Sequence, residues 1–441
     1  MKFLLLNSPI YRTHSDFSED YLPPLGLGYL ATHLNMAGID TSIVDCVRER
    51  LGIDEILSLI SCQRPDFVGI NIFTQNYDIV REILEQCLEN VTFVLGGQVV
   101  KFIYSEILEW KTDNNLWAIM GESELALPAI IMGTYSESPL YVTSNRKVYC
   151  VDKNSIYFPD NLDEIILDRD LLEEKSLINH YGKSEAAIIT SRGCPYNCAF
   201  CGAARSVNKE TSMRFRSPSY IEDEIGSILL KNNEINSIRI LDDLFLRDRA
   251  TIMNAIEIFK KYEDISWRCM TQVVVFQNSL DLFQPLKSSG CCELFFGIES
   301  GSKDVRKRIN KVGSIKQIEN VITSSLEAGI DVKAYFMFGL PNECTSEADE
   351  TYALATKLKN ISSKHSGNFR TSVFQFRPYH GTQLYNEIMQ SGKAIRKIGS
   401  NESLNVFNGR SQFNFHAGNF SNMEDHVLNK YILETQALTE G

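Results

Sequence analysis

Short apolar runs separated by helical patterns fill the first third of the chain. The runs are bounded by turn residues and cover residues 3–7, 41–45, 67–71, 92–95 and 117–120. Strands that alternate with helices form a parallel sheet. The pattern therefore predicts a doubly wound parallel α/β sheet over residues 1–140.

Six further strand-like runs follow in the second half, with helical segments between most of them. They cover residues 187–190, 238–243, 267–275, 294–298, 332–338 and 372–376. A helix start lies between the first two runs, where Ser217 is a candidate cap and Pro218 takes the first helical position. Six parallel strands with helices outside predict a partial (β/α)6 barrel over residues 186–390, open on one side.

The remaining segments carry weaker patterns. Residues 141–185 are expected to be a linker between the two domains. Residues 391–441 are expected to form a short C-terminal segment, with a helix that begins near Asn422. Two histidines close to or within this segment, His380 and His416, are interpreted as structural residues.

Length and charge limit the possible classes of protein. The chain has 441 residues, which is enough for two or three domains, and its formal net charge is −12. That charge argues against broad nucleic-acid binding, which draws on clustered Lys and Arg. A local basic strip is interpreted as a solvated helix face; it consists of Lys303, Arg306, Lys307, Arg308 and Lys311.

Cysteine usage and hydropathy indicate a cytoplasmic protein. The eleven cysteines are an odd number and too sparse for a disulfide scaffold, which favours a reducing compartment. The apolar run at residues 3–7 is too short for a signal peptide. No stretch approaches the length needed to span a membrane.

A compact cysteine triplet carries the strongest chemical signal. Cys194, Cys198 and Cys201 are spaced four and then three residues apart. Because iron–sulfur clusters are usually held by four cysteines, a triplet can bind a 4Fe–4S cluster and leave one iron for an external ligand. Buried thiols or a zinc site are the alternatives, although zinc normally takes four ligands and no second cysteine pair is present. The spacing, the preceding strand and the aromatic Phe200 before the last cysteine resemble the radical S-adenosylmethionine (radical SAM) superfamily.

The resemblance implies roles for residues at the ends of later strands. In that superfamily the open iron binds SAM, and an electron from the cluster cleaves SAM to a 5'-deoxyadenosyl radical. Asp242 and Asp243 stand where relatives meet the methionyl amine of SAM. Glu299 and Ser300 correspond to residues near the SAM ribose or amino group. Gly339 belongs to a loop expected near the adenine.

Two further features compare this chain with particular groups within the superfamily. Gln272 stands where many relatives carry an arginine, so it would have to anchor the SAM carboxylate without a charge. Residues 378–382 match the proline-x-x-glycine-threonine pattern of the branch that carries a cobalamin-binding domain. The resemblance therefore runs from residue 1 to about residue 390.

The strand ends of the first domain are rich in glycine and small polar groups. In open parallel sheets the ligand crevice lies at the carboxyl ends of the strands. These residues resemble the shelf of a Rossmann-like cobalamin-binding domain, which makes them expected cobalamin contacts: Thr74, Gly96, Gly97, Gln98, Gly121 and Glu122. The Asp-x-His-x-x-Gly motif that elsewhere supplies a histidine to cobalt is absent. Ordinary strand-to-helix turns in an empty domain are the alternative.

Three functional hypotheses follow from this resemblance. The first is a cobalamin-dependent radical SAM C-methyltransferase that acts on an unactivated carbon of a natural-product, peptide or lipid substrate, with flavodoxin or ferredoxin as electron donor. The second is a radical SAM epimerase, cyclase or rearranging enzyme whose first domain does not use methylcobalamin. The third is a non-catalytic iron–sulfur sensor, which would not need the strand-end carboxylates and glycines.

Overall fold

The chain forms two compact units. The computed structural model describes residues 1–7, 9, 21–172, 177–392 and 418–439. Of these, the first unit takes the residues up to 172, 208–212 and 379–392. The second unit takes residues 177–207, 213–378 and 418–439. His416 lies outside the described residues.

The first unit is built on a parallel sheet with helices between its strands. Its elements up to residue 151 are β1 (Lys2–Asn7), α1 (Leu25–Met36), β2 (Asp40–Asp45), α2 (Ile53–Gln63), β3 (Phe67–Asn71), α3 (Tyr77–Gln86), β4 (Thr92–Gly96), α4 (Val100–Leu108), β5 (Asn115–Gly121), α5 (Ala126–Ile131), β6 (Tyr141–Val142) and β7 (Arg146–Val151). Within the described residues the strand order is β2-β1-β3-β4-β5-β7-β6. The five predicted strands and the doubly wound parallel fold are confirmed.

Strand β7 extends this sheet into the segment expected to be a linker. It pairs in parallel with β5 along six residues, and its side chains Val148 and Val151 are fully buried. The strand begins with two cations, and these obscure the alternation of apolar and polar residues by which a strand is recognised in a sequence. One of them, Lys147, lies over the ring of Trp117 at 4.6 Å.

The second unit contains the predicted half-barrel. Its elements, and one helix that returns to the first unit, are β8 (Leu177–Ile178), β9 (Ser184–Ile188), β10 (Ser191–Arg192), β11 (Arg214–Phe215), α6 (Pro218–Lys231), β12 (Ser237–Ile240), α7 (Arg249–Phe259), β13 (Ser266–Thr271), α8 (Phe283–Ser288), β14 (Cys291–Glu299), α9 (Lys303–Arg308), α10 (Ile315–Glu327), β15 (Asp331–Phe338), α11 (Thr345–Ser362), β16 (Phe369–Gln375), α12 (Gln383–Gln390, first unit) and α13 (Asp425–Ala437). The strand order is β16-β15-β14-β13-β12-β9-β8. Neighbours from β9 to β16 are parallel and follow one another in sequence, which confirms the partial barrel.

Alternate residues of these strands divide between two faces. Apolar residues such as Ile238, Trp267, Leu294 and Val332 pack against the outer helices in one core. The predicted start of α6 is confirmed, since the Ser217 hydroxyl accepts a hydrogen bond from the Tyr220 N–H at 3.2 Å. The helix expected near Asn422 is α13, which packs on β16 through bonds such as Thr371 Oγ1 to the Thr435 carbonyl at 2.8 Å.

One predicted strand was too long. The apolar run 267–275 stops being a strand at Thr271, and Val273–Phe276 forms a 3₁₀ turn. The turn still buries Val273, Val275 and Phe276, so the apolar run reports burial rather than extended backbone. Gln272 consequently lies in the loop at the carboxyl end of β13.

No helix in the described ranges is long and apolar enough to cross a membrane.

Gly121→Ala should lower the midpoint of thermal unfolding. A Cβ atom built at Gly121 lies 1.9 Å from the carbonyl oxygen of Val151, and the residue has a φ of +91°. Strand β7 would have to move, so we expect a loss above about 1 kcal/mol. Gly26→Ala is the control, because no heavy atom lies within 4 Å of its added methyl group. Equal midpoints for the two variants by circular dichroism would contradict this account.

Candidate active site

The three predicted cluster cysteines lie on one tightly turned loop of the second unit. The N–H of Cys201 donates to the Cys198 carbonyl at 3.1 Å, and the N–H of Arg205 donates to the Tyr196 carbonyl at 3.0 Å. A third bond, from the Ala199 N–H to the Ile309 carbonyl at 3.0 Å, ties the loop to the segment after α9. The loop therefore holds all three thiols within one short, internally bonded segment.

These thiols lie in a low-dielectric environment. Cys198 is buried, and Cys194 and Cys201 are half-buried. Burial raises the pKa of Cys194 and Cys198, and the positive charge of Lys311 partly offsets this rise. Burial also raises the pKa of Cys201 to about 12. Metal binding replaces the thiol proton, so iron would supply the charge that stabilises three thiolates here.

The donor set fits a cluster. All eleven cysteines are free thiols. Among the described residues, no three His, Cys, Asp or Glu side chains converge on a point where one metal ion would sit. A 4Fe–4S cluster makes no such demand, because each thiolate binds a different iron.

The two neighbouring aspartates after β12 have different environments. Asp242 is buried, and its carboxylate accepts from the Thr190 N–H at 2.7 Å, the Thr190 hydroxyl at 2.6 Å and the Ser191 hydroxyl at 2.7 Å. Asp243 is exposed to solvent. Although its side chain reaches solvent, the protein around it partly desolvates the carboxyl group, and this desolvation and the charge of Asp242 raise its pKa to about 6. Its own charge raises the pKa of Cys194 and Cys201, so Asp243 lies on the cysteine side.

Glu299 ends β14 in a strained conformation. Its φ is +67°, which non-glycine residues rarely adopt, and the register with β15 shifts at this point. Its Oε1 lies 3.0 Å from Lys311 Nζ in a buried ion pair. A Cβ atom at Gly297 would come within 2.5 Å of Glu299 Oε1 and 2.7 Å of Lys311 Nζ, so a side chain at position 297 would displace the paired groups.

The basic strip is not a uniformly solvated face, and that prediction is wrong for two of its members. Arg306 and Lys311 are only 4% and 8% exposed. The Arg306 guanidinium donates to the carbonyls of Ile298, Val312 and Gly313. It thereby fixes the turn that brings Lys311 to Glu299, a role that the local charge pattern did not reveal.

The remaining predicted SAM contacts have mixed surroundings. Ser300 is fully buried, and its hydroxyl is bonded to Thr351 Oγ1 at 2.8 Å and to the Ser302 N–H at 3.0 Å. Phe200 and Gln272 are partly exposed. Gly339 has a φ of +82° and lies against Leu428 of α13.

The loop at Gly339 is held by a buried acid that sequence reasoning missed. Glu343 Oε2 accepts from the N–H groups of Gly339 at 2.7 Å and Leu340 at 3.2 Å, while Oε1 is buried and has no hydrogen-bond partner in the part of the chain that the structure describes. Burial raises the pKa of Glu343 to about 7. A glutamate four residues after a glycine gives no sequence signal of this role.

In the first unit, Thr74 forms a hydrogen bond with His380, in the segment that follows the last barrel strand in sequence. Its hydroxyl lies 3.0 Å from His380 Nδ1. The His380 ring also contacts the rings of Tyr77 and Tyr385. Burial lowers the pKa of His380 to about 4. The histidine is thus a neutral packing group, as the structural interpretation expects.

The predicted shelf glycines differ in what they contact. A Cβ atom at Gly97 would lie 2.6 Å from the carbonyl oxygen of Ile72, and one at Gly121 would meet the backbone of β7. Those two glycines are required by the sheet itself. A Cβ atom at Gly96 meets nothing within 4 Å, so space is open at the end of β4. Gln98 and Glu122 follow these glycines and are exposed and half-buried, respectively.

A further residue at this edge is Gln75, which the sequence analysis left unassigned. The strand order of the sheet reverses between β1 and β3, and ligand crevices lie at such switch points. Gln75 follows β3, is 7% exposed, and its Nε2 is buried with no hydrogen-bond partner among the described residues. Buried polar groups are nearly always bonded. An orphaned amide at the same edge of the sheet as Gly96 therefore fits a polar ligand such as cobalamin.

Stability should fall less steeply with rising pH once Glu343 is replaced by glutamine. An acid whose pKa is higher in the folded state favours folding below its unfolded value, near 4.5, and this contribution is lost as pH rises through about 7. Glu343→Gln should therefore gain thermal stability relative to wild type between pH 5 and 8, by a margin that grows with pH. Glu350→Gln, at an exposed position of α11, is the control. A constant difference across this pH range would contradict the assignment.

Two family models match the chain. The radical SAM superfamily model matches residues 188–355, which include the cysteine triplet, the aspartate pair and Glu299. The B12-binding domain model matches residues 18–131, which include Gln75 and Gly96.

Individual relatives are similar to this chain over most of its length. An uncharacterized methyltransferase of Pyrococcus horikoshii is 29% identical over 87% of this chain and 82% of its own length. An anaerobic magnesium-protoporphyrin IX monomethyl ester cyclase of Rubrivivax gelatinosus is 25% identical over 76% of this chain. The cobalamin-dependent radical SAM enzyme OxsB, solved with aqua-cobalamin and SAM bound, shares the fold at a TM-score of 0.68 and 16% identity over 98% of this chain.

The chain spans 62% of the cyclase's length and 65% of the OxsB chain. The B12-binding domain model and the radical SAM superfamily model match the chain in the order in which its two sheets occur, so the chain is similar to radical SAM proteins that carry a B12-binding domain.

Proposed function

We propose that this protein is a cobalamin-dependent radical SAM C-methyltransferase that acts on an unactivated carbon of a small-molecule, lipid or peptide substrate. The observation that carries the proposal is the presence in one chain of two separate sites, a three-thiol loop and a sheet edge that has both an orphaned amide at Gln75 and open space at Gly96. A sensor would need only the first of these sites. The methyltransferase name of the Pyrococcus relative supports the reaction type.

In this proposal the second unit binds the cluster and SAM. Cys194, Cys198 and Cys201 are the iron ligands. When bound, the cluster and SAM supply the 5'-deoxyadenosyl radical and cobalamin supplies the transferable methyl group. Asp243 is the better placed aspartate to meet the SAM amino group, because the Asp242 carboxylate already accepts three bonds from Thr190 and Ser191.

Glu299, Gln272, Ser300, Gly339 and Phe200 complete the proposed SAM surroundings. Glu299 is held by Lys311, so its carboxylate stays ordered before a ligand arrives. Gln272 offers a neutral amide to the SAM carboxylate. Ser300 serves through its bonds to Thr351 and Ser302. Gly339 and Glu343 shape the adenine loop.

The first unit holds cobalamin in this proposal. Gln75 Nε2 donates to a polar group of the ligand, while Gly96 admits its edge. Thr74, Gly97, Gln98, Gly121 and Glu122 shape the shelf. An electron donor such as flavodoxin or ferredoxin and a reducing cytoplasm fit the free thiols of the chain.

A second candidate is a radical SAM cyclase or rearranging enzyme, which the name of the Rubrivivax relative supports. The two candidate functions differ in how SAM is consumed. A methyltransferase uses SAM as both methyl source and radical source, so it releases S-adenosylhomocysteine as well as 5'-deoxyadenosine. A cyclase releases only 5'-deoxyadenosine.

Replacing the three cluster cysteines by alanine should remove iron and SAM cleavage together. The wild-type chain, reconstituted anaerobically with iron and sulfide and then reduced, should convert SAM to 5'-deoxyadenosine. The triple variant should lose both properties, because no other thiols are arranged on one loop. The control is Cys292→Ala, a half-buried cysteine of β14. A triple variant that still holds four irons would refute the assignment.

Gln75→Met should weaken cobalamin binding by about tenfold, because a hydrogen bond from a buried amide is worth about 1–2 kcal/mol. Bound cobalamin is measured by its absorption spectrum after gel filtration, a readout independent of turnover. At limiting cobalamin the variant should form less S-adenosylhomocysteine than wild type yet make as much 5'-deoxyadenosine. Gln86→Met, at an exposed position of α3, is the control. If the wild-type chain binds no cobalamin, the cyclase or rearranging enzyme is the better explanation.

A further inference from the structure

The loop that joins β12 to α7 presents an acid and a base four residues apart. The acid is Asp243, which is exposed and whose charge raises the pKa of Cys194 and Cys201. The base is Arg247, whose side chain is 24% exposed. The methionyl end of SAM is an amino acid and carries an ammonium group and a carboxylate group. An acid and a base on one loop beside the cysteines therefore match both charges of that group.

Hydrogen bonds fix the backbone on either side of Arg247. Leu246 forms a parallel β-bridge with Thr271, the last residue of β13, and the Thr271 hydroxyl donates to the Leu246 carbonyl at 2.9 Å. The Arg247 N–H donates to Thr251 Oγ1 of α7 at 3.1 Å. Arg247 follows Leu246 as Gln272 follows Thr271, and paired parallel segments run side by side. Arg247 and Gln272 thus start from neighbouring backbone positions.

The Arg247 guanidinium extends toward the segment that leads into the cysteine loop. Its central carbon lies 3.1 Å from the centre of the Phe215 ring. Phe215 pairs in register with Ser191, which stands three residues before Cys194. Arginine stacks on aromatic rings through its flat face, so the N–H groups at its edge can still bind a carboxylate at two points.

Two acids act on this guanidinium without occupying it. Asp248 Oδ2 lies 3.7 Å from Arg247 Nε, a distance longer than a hydrogen bond. Burial lowers the pKa of Arg247, and the charges of Asp248 and Asp242 only partly offset this. The Asp242 carboxylate accepts its hydrogen bonds from Thr190 and Ser191. Arg247 can therefore keep both neighbours and still bind a further carboxylate.

Helix stability does not account for a cation at position 247. Arg247 immediately precedes Asp248, the N-cap of α7, and the positive end of the helix dipole there favours anions. The nearby cations Arg306 and Lys311 differ, because carbonyl groups and Glu299 hold them in structural contacts. A cation that the helix disfavours is explained if a ligand of this site needs it.

We propose that Arg247 binds the carboxylate of the SAM methionyl group, beside the neutral amide of Gln272 and opposite Asp243, which meets the ammonium group. The inference rests on the proposed function, because it takes SAM as the ligand at this end of the half-barrel. It assigns the charge that Gln272 lacks to a residue on the neighbouring loop. The contact is one of binding, so its loss should change SAM affinity without removing the cluster.

The test compares SAM with decarboxylated SAM, which lacks only the carboxylate. Dissociation constants are measured by equilibrium dialysis on the full chain, reconstituted with its cluster and left unreduced so that neither compound is cleaved. Arg247→Met should weaken SAM binding about tenfold, as expected for a hydrogen bond between charged groups, and leave the affinity for decarboxylated SAM unchanged. Arg247→Lys should lose less, because it keeps the charge but not the two-point contact.

A relocated charge separates ligand binding from packing. When Arg247→Met is combined with Gln272→Arg, the guanidinium returns at the neighbouring position, and SAM affinity should recover. Arg249→Met is the matched control, since this exposed arginine of α7 is paired with Asp281 at 2.7 Å. Iron content and circular dichroism equal to wild type exclude misfolding of the variants.

Three results would overturn the proposal. In the first, Arg247→Met weakens SAM and decarboxylated SAM to the same degree, which indicates a structural role. In the second, it changes neither affinity. In the third, the combined variant binds SAM no better than Arg247→Met does.

Failure of the proposed function appears in a different readout. A wild-type chain that holds no cluster, or that binds neither compound, contradicts the radical SAM function and the role of Arg247 with it. A wild-type chain that binds SAM and converts it to 5'-deoxyadenosine on reduction, but whose SAM affinity is insensitive to Arg247→Met, contradicts only the role of Arg247.

Discussion

The two-residue period of a β-strand is the constraint on which the second unit depends. Each strand must place apolar residues outward against the helices, and the same backbone then presents every other residue to the inner face. Arg268 can occupy the middle of a buried strand only because Glu185 and Glu293 on neighbouring strands accept its hydrogen bonds. Although burial acts to raise it, the pKa of Glu185 is lowered by these bonds. The charges thus tie β9, β13, β14 and β16 into one register, where a single missing partner would leave a buried ion unpaired.

The same constraint explains how much the sequence predicted. Apolar runs and their turn residues identified the parallel sheets and the half-barrel, since those features depend on local pattern. The pattern failed where apolar residues are buried without being extended, as at Val273–Phe276, and where a strand begins with cations, as at Arg146–Val151. The local sequence around Arg306 and Lys311 is typical of charged residues on a protein surface. Their burial depends on carbonyl groups and a carboxylate that the fold brings to them, which no local window contains.

The glycines show why a motif does not by itself define a site. Gly97 and Gly121 have positive φ angles and press against the backbone of neighbouring strands, so the sheet would require them with or without a ligand. Gly96 has neither feature, and the space beside it remains open. The informative residues at this edge are therefore the ones whose presence the fold does not explain, Gly96 and Gln75. A buried amide without a partner has a free-energy cost that a bound polar group removes.

Glu299 combines a strained backbone with a buried ion pair in the second unit. A left-handed φ at a non-glycine residue costs of order 1–3 kcal/mol, and such strain persists only where the surroundings enforce it. Here the register shift of β14, the ion pair with Lys311 and the missing side chain at Gly297 enforce it together. Stability alone would be better served by a glycine at position 299. The strain is accounted for if the end of β14, on the same unit as the three thiols and Asp243, must carry a carboxylate that meets a bound cationic cofactor such as SAM.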